Sequence, residues 1–141
     1  MKIFSYGKDG GAESTVWGFW LIEWKRAFSI ALLCFEDGSR EAYHDHAFNS
    51  ISWVLRGNLM EEVRDGYTEL DRKGPLYCFY YNYTPSWRPI FTYRTRMHKV
   101  TSIGRTWVLT FRGPWLDKWH EHLPATNEDI TLTHGRQRIA D

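Results

Sequence analysis

The chain has 141 residues, enough for one domain with its own hydrophobic core, and a net charge of +1 that argues against a nucleic-acid binder. No apolar run approaches the ~20 residues of a membrane span, and the N-terminus lacks a signal peptide's apolar stretch, so we expect a cytoplasmic protein with no membrane partner. An aromatic fraction of 17% favours strands and packed cores, and also pockets for planar or sugar-like ligands.

In chain order, residues 1–14 read as a loose lead-in ending in Gly10-Gly11. Residues 15–123 read as a single β-barrel domain, and residues 124–141 as a polar tail without hydrophobic periodicity. Strand-like stretches begin at Val16; residues 28–35 are strongly apolar and end at a turn over Glu36-Asp37-Gly38-Ser39. Residues 51–55 alternate, with Ile51, Trp53 and Leu55 on one face and Ser52 and Val54 on the other. Arg56-Gly57-Asn58 is predicted to be a hairpin turn, because glycine tolerates positive φ. Residues 59–64 then return to a turn at Asp65-Gly66. Lys73-Gly74-Pro75 opens an aromatic strand over 76–83, and further strands follow over 87–93, 97–103 and 106–112, the last two joined by a tight turn at Gly104-Arg105. One or both of Trp115 and Trp119 are expected to pack onto the barrel. Many short strands with Gly and Pro punctuation and no helical period predict an all-β, single-domain sandwich or barrel, with the jelly roll as a matching architecture.

Cys34 and Cys78 lie in apolar, strand-like stretches with no spaced motif, so free buried thiols are expected. Residues 72–112 hold eight Lys or Arg and no Asp or Glu, whereas the rest of the chain has ten basic and seventeen acidic residues. Either the barrel folds the two sets together into ion pairs, or the basic window forms a positive face for an anionic ligand.

The chemistry-bearing segment is His44-Asp45-His46. Histidines at i and i+2 of an extended segment share a face, and a third, His98 on another strand, can complete a set of three imidazoles around one metal. Asp45 points away from that face. Ser50 follows, six residues then separate it from Gly57, and five residues separate Gly38 from His44. This run resembles the first motif of the cupin superfamily: glycine, five residues, His-x-His, three or four residues, Glu, six residues, Gly. Ser50 stands where that motif has glutamate. The second motif is matched only at its end, by His98, with Ser102 in place of its asparagine. Residues 51–57 and 106–114 also resemble small bacterial and phage cupins.

The resemblance implies a cupin-type jelly roll (double-stranded β-helix) with one divalent transition metal on His44, His46 and His98. Three histidines without glutamate resemble the thiol dioxygenases of this superfamily and favour Fe(II), with Zn, Mn or Ni as alternatives. Glu61 or Glu62 is the candidate replacement for the lost carboxylate, and adjacency lets only one face inward. The expected function is a metal-dependent enzyme on a small anionic metabolite, Fe(II) dioxygenase-like. A non-catalytic module gripping a sugar or nucleotide is the other reading. Arg94, Arg96, Arg105 and Arg112 are candidate anion contacts; Arg94 and Arg96, four and two residues before His98, are assigned to the ligand's acidic group, and Trp53 to ligand contact. Ser50 would hold a metal-bound water, and a tyrosine among Tyr80, Tyr81 and Tyr83 would donate a hydrogen bond. Tyr81 stands for the three, since no sequence feature selects among them. His120-Glu121-His122, a second His-x-His, reads as a polar surface segment. A homodimer is implied by the resemblance alone.

Overall fold

The structure is a computed structural model and describes residues 1–39, 42–65, 77–123, 126 and 128–139. Among these residues lie twelve strands and a single 3-10 turn. The strands are β1 (Lys2–Lys8), β2 (Val16–Trp24), β3 (Phe28–Phe35), β4 (Gly38–Ser39), β5 (Tyr43–His44) and β6 (Ser50–Asp65). They continue with β7 (Tyr77–Tyr83), β8 (Ile90–Thr92), β9 (Met97–Arg112), β10 (Trp119–Leu123), β11 (Glu128–Thr133) and β12 (Gln137–Ile139). All pairings are antiparallel, and the fold class is as predicted. No helix among the described residues is long and apolar enough to cross a membrane. The expected turn at Gly66 and the segment 73–75 lie outside the described residues.

Strand β9 is the hub. One side pairs with β6 along nearly its whole length; the other pairs with β3, then with β4 and β5. Its buried positions run His98, Ser102, Thr106, Val108, Thr110 and Arg112, the period of two that puts one face of a strand inside.

The predicted hairpin at residues 56–58 and the tight turn at residues 104–105 do not form. Both sites are bends inside the sixteen-residue strands β6 and β9. Register shifts at Leu55 and Gly57, so that Val54 faces Val108 while Leu59 faces Ser102. Gly57 (φ 95°) and Gly104 (φ 69°) take the left-handed backbone that sharp bends need. The buried Thr106 hydroxyl fills the gap: it donates to Asn58 O at 3.0 Å and accepts from Asn58 N at 3.0 Å and from Ser102 Oγ at 2.8 Å. Ser102 Oγ shares its one proton between Thr106 Oγ1 and Gly104 O, the latter at 2.6 Å. The glycine signals were right, but the chain continues through them instead of reversing.

The bulge also changes which parity faces inward. Ser50, Ser52 and Val54 face the interior before it; Leu59 and Glu61 do so after it. Trp20, Ala31, Leu33, Val54, Leu59 and Val108 form the main core. Phe48, Ala47, Trp119 and Leu132 form a second, with Trp115 packed against it. Residues 128–139, expected as part of a polar tail, are strands: β11 pairs with β10 and buries Leu132, and β12 pairs with β11. Composition missed them because Leu132 and Ile130 are the segment's main apolar contribution to that core. The lead-in is likewise held, since β1 pairs with β2.

Four cations of the basic window pair with acids from outside it: Arg96–Glu61, Lys99–Glu62, Arg105–Glu36 and Arg112–Asp9. Of the two readings of the charge asymmetry, cross-strand pairing accounts for these residues. Cys34 and Cys78 are free thiols, as expected.

Candidate metal centre

His44 on β5 lies directly opposite His98 on β9, so their side chains emerge side by side. His46, just past β5, is anchored by its own N–H, which donates to Arg94 O at 3.1 Å. The three imidazoles offer ligand atoms that all lie within 4.8 Å of one another. The Nε2 atoms of His46 and His98 are 2.8 Å apart. Two nitrogens ~2.1 Å from one metal sit ~3.0 Å apart at right angles and ~3.4 Å apart in a tetrahedron. The observed spacing is nearer the right-angled, facial arrangement. The residues present therefore fit one divalent metal.

What surrounds the ligands decides which ring nitrogen faces the centre. His98 Nδ1 donates to Glu61 Oε2 at 2.5 Å, and His44 Nδ1 donates to Ala42 O at 3.3 Å. In both rings the proton held on Nδ1 leaves Nε2 as the lone-pair nitrogen, the outer-shell arrangement of metal-binding histidines. Glu61 is 3% exposed, and its Oε1 accepts from Tyr83 Oη at 3.0 Å and from Arg96 Nη1 at 3.3 Å. Burial pushes its carboxyl up, but the His98 side chain, the Tyr83 hydroxyl and the Arg96 guanidinium outweigh this and leave it below its ordinary range. Burial and then the Glu61 charge push the Tyr83 phenol up, so it stays a donor. Of Glu61 and Glu62, Glu61 is the inward one, and it braces His98 instead of joining the three-histidine set.

A cavity of about 380 Å³ opens from the three histidines. Ser50 lies on its wall, across from Thr92 and Arg112. Tyr83 lines it, while Tyr81 is exposed and stacks on Tyr83 at 6.3 Å, and Tyr80 reaches Glu62 instead. Trp53 sits on the outward parity of β6, donating Nε1–H to Trp87 O and packing on Phe111, away from the cavity lining. Arg94 is in the turn before β9 with an exposed side chain, and Arg96 is spent on Glu61; neither lines the cavity. Strand alternation does not reach them, because β9 begins only at Met97.

One cavity residue, Glu121, escaped sequence reasoning, and one of the candidate anion contacts, Arg112, does reach the cavity. Glu121, 3% exposed, lies opposite His44 and is held by Arg136 Nη2 at 2.8 Å. In His120-Glu121-His122 it is the central residue that turns in, while the histidines pair with Asp45 and Asp129 at 2.9 and 2.7 Å. Asp45 thus points away from the metal ligands, to β10. Arg112, the anion-contact candidate that lines the cavity, is only 6% exposed.

An antiparallel barrel that gathers three histidines at the end of an internal cavity defines a metal-centre jelly roll. No protein-family model matches the sequence, and curated protein sequences give no match. Solved structures do match in fold. A cupin superfamily protein from Desulfitobacterium hafniense aligns with a TM-score of 0.52 at 16% identity, over 75% of this chain and 84% of that one. An RmlC-like cupin from Shewanella frigidimarina aligns with a TM-score of 0.55 at 15% identity, over 81% and 92%. Fe(II)-HppE with the alternative substrate (S)-1-HPP aligns with a TM-score of 0.52 at 15% identity, over 75% and 53%. The chain has the cupin fold.

Proposed function

We propose that this protein is a metal-dependent cupin enzyme that holds one divalent metal on His44, His46 and His98, Fe(II) before Zn, Mn or Ni, and oxidises a small acid in a dioxygenase-like reaction. The observation that carries the reading is the pair of inward Nε2 atoms 2.8 Å apart, with the His98 ring braced by a buried carboxylate. A solved neighbour of the same fold is an Fe(II) protein by its own description, which supports iron. When bound, Fe(II) with three neutral nitrogen ligands supplies open positions for substrate and dioxygen.

The chain's own residues do the rest. Glu61 keeps the proton on His98 Nδ1 and the ring in place; Ala42 O does so for His44. Trp20, Leu33, Leu59 and Val108 make one wall of the cavity apolar, which excludes water and strengthens the site's electrostatics. The outer sheet face exposes Ile51, Leu55, Phe91 and Phe111, which supports a homodimer.

The test is metal content after anaerobic loading with Fe(II), Zn or Mn. Wild type should retain close to one ion per chain, and His46→Ala should lose most of it, since two ligands hold a labile divalent ion poorly. Nitric oxide added to the Fe(II)-loaded protein should give the high-spin nitrosyl signal of an iron with open positions. Metal-free wild type under every loading condition would remove the basis of the enzyme reading.

A further inference from the structure

The cavity wall away from the histidines is polar. Thr92 on β8, Ser50 on β6, Arg112 on β9 and Ser29 on β3 form one cross-strand row, with Ser52 and Thr110 in the next; Ser52 Oγ donates to Thr110 Oγ1 at 2.9 Å. Within this patch Arg112 gives both terminal nitrogens to Asp9, Nη1 to Oδ1 at 3.1 Å and Nη2 to Oδ2 at 2.5 Å. Its Nε is buried without a hydrogen-bond partner, and so is Trp115 Nε1. Both residues line the cavity. Two orphaned N–H donors in one wall are costly, about 1–3 kcal/mol each.

The two side chains pack on the same ring. The Arg112 guanidinium carbon lies 4.6 Å from the Phe48 ring centre, and the Trp115 ring lies 5.0 Å from it. Phe48 in turn stacks on His46 at 5.1 Å. No more than two ring spacings therefore separate the guanidinium from a metal-ligating imidazole. The charge of Arg112 is already matched by Asp9, so its remaining N–H is a directional donor with no net charge to offer. A second anion beside it would meet the Asp9 carboxylate.

We infer that the cavity takes a small ligand whose anionic, chelating end sits on the metal and whose other end presents a neutral acceptor oxygen, a carbonyl, amide or hydroxyl, to Arg112 Nε and Trp115 Nε1. This rests on the metal reading above and adds the ligand's second functional group. It also moves ligand recognition from Arg94 and Arg96 to Arg112. Both donors are covered in this state, so the acceptor reaches them as side chains around Phe48 shift.

The probes are three linear hydroxamates of equal length ending in a carboxamide, a carboxylate or a methyl group, titrated by calorimetry into the Zn(II)-loaded protein. The hydroxamate chelates the metal in each case, and only the tail differs. The carboxamide should bind roughly tenfold more tightly than the methyl compound, the value of one or two well-placed hydrogen bonds to such donors. The carboxylate should show no such gain in wild type and should acquire one in Asp9→Asn. Trp115→Phe keeps the ring and removes Nε1–H, and Arg112→Lys keeps the charge and removes Nε–H. Each should shrink the carboxamide preference while leaving methyl-tail affinity unchanged. If Arg112→Lys does not fold, Trp115→Phe alone decides. Equal affinity for all three tails with zinc retained, or an undiminished preference in Trp115→Phe, overturns the inference and leaves the metal reading standing. If zinc is not retained the titrations use the Fe(II)- or Mn(II)-loaded protein, and failure to retain any of the three metals overturns both.

Discussion

Replacing Glu61 by glutamine tests how the centre is built. The carboxylate is nearly inaccessible and accepts three hydrogen bonds: from His98 at 2.5 Å, Tyr83 at 3.0 Å and Arg96 at 3.3 Å. Glutamine preserves volume but has one acceptor oxygen and an amide that cannot accept. With Tyr83 and Arg96 both on Oε1, the amide falls to the His98 side, where two N–H groups would face each other. The ring must then turn or move its proton to Nε2, the atom the metal needs. Outer-shell losses of this kind cost 10- to 100-fold in metal affinity, about 1.4–2.8 kcal/mol. The assay is zinc or Fe(II) competition against a chelator of known affinity, with circular dichroism confirming the fold. Glu61→Ala should do more, leaving a cavity and three unpaired groups. Arg96 is partly exposed and its share is screened, so we expect about 2–4 kcal/mol of lost stability in urea. Metal affinity in Glu61→Gln within twofold of wild type, with the fold intact, would refute the bracing role.

The bend in β6 and β9 should be brittle. Gly57→Ala places a methyl group 2.5 Å from Thr106 Oγ1 and 2.6 Å from Arg105 O at a positive φ, and about 3 kcal/mol or more should be lost in chemical denaturation. Thr106→Val keeps the shape but strands the Asn58 backbone N–H and C=O; about 2–3 kcal/mol is expected by the same measurement. Truncation after Leu123 removes Leu132 from its core and Arg136 from Glu121, so the melting temperature should fall by about 10 °C, whereas a dispensable tail would leave it unchanged.

The local code carried most of the barrel's strands and the three-histidine set. Alternating side chains and the spacing of His44, His46, Ser50 and Gly57 are properties of adjacent residues, and they survive folding unchanged. Register across strands does not belong to adjacent residues. Alternation told that Glu61 and Glu62 oppose each other, and that Trp53 and Val54 do, but not which of each pair faces in. Carried forward from Ser50 it would have chosen Glu62. The bulge at Leu55 and Gly57 shifts the phase by one and turns Glu61 to His98 instead. The apolar trio Ile51, Trp53 and Leu55 faces out because the interior at that level is a cavity edged with hydroxyls. Glu121, Arg136 and Arg112 reach that cavity only because β10 lies beside β5, the 3-10 turn at residues 134–136 folds back, and β9 spans the barrel. Contacts between residues tens of positions apart depend on which strand edges meet, and that is settled by the packing of the whole sheet.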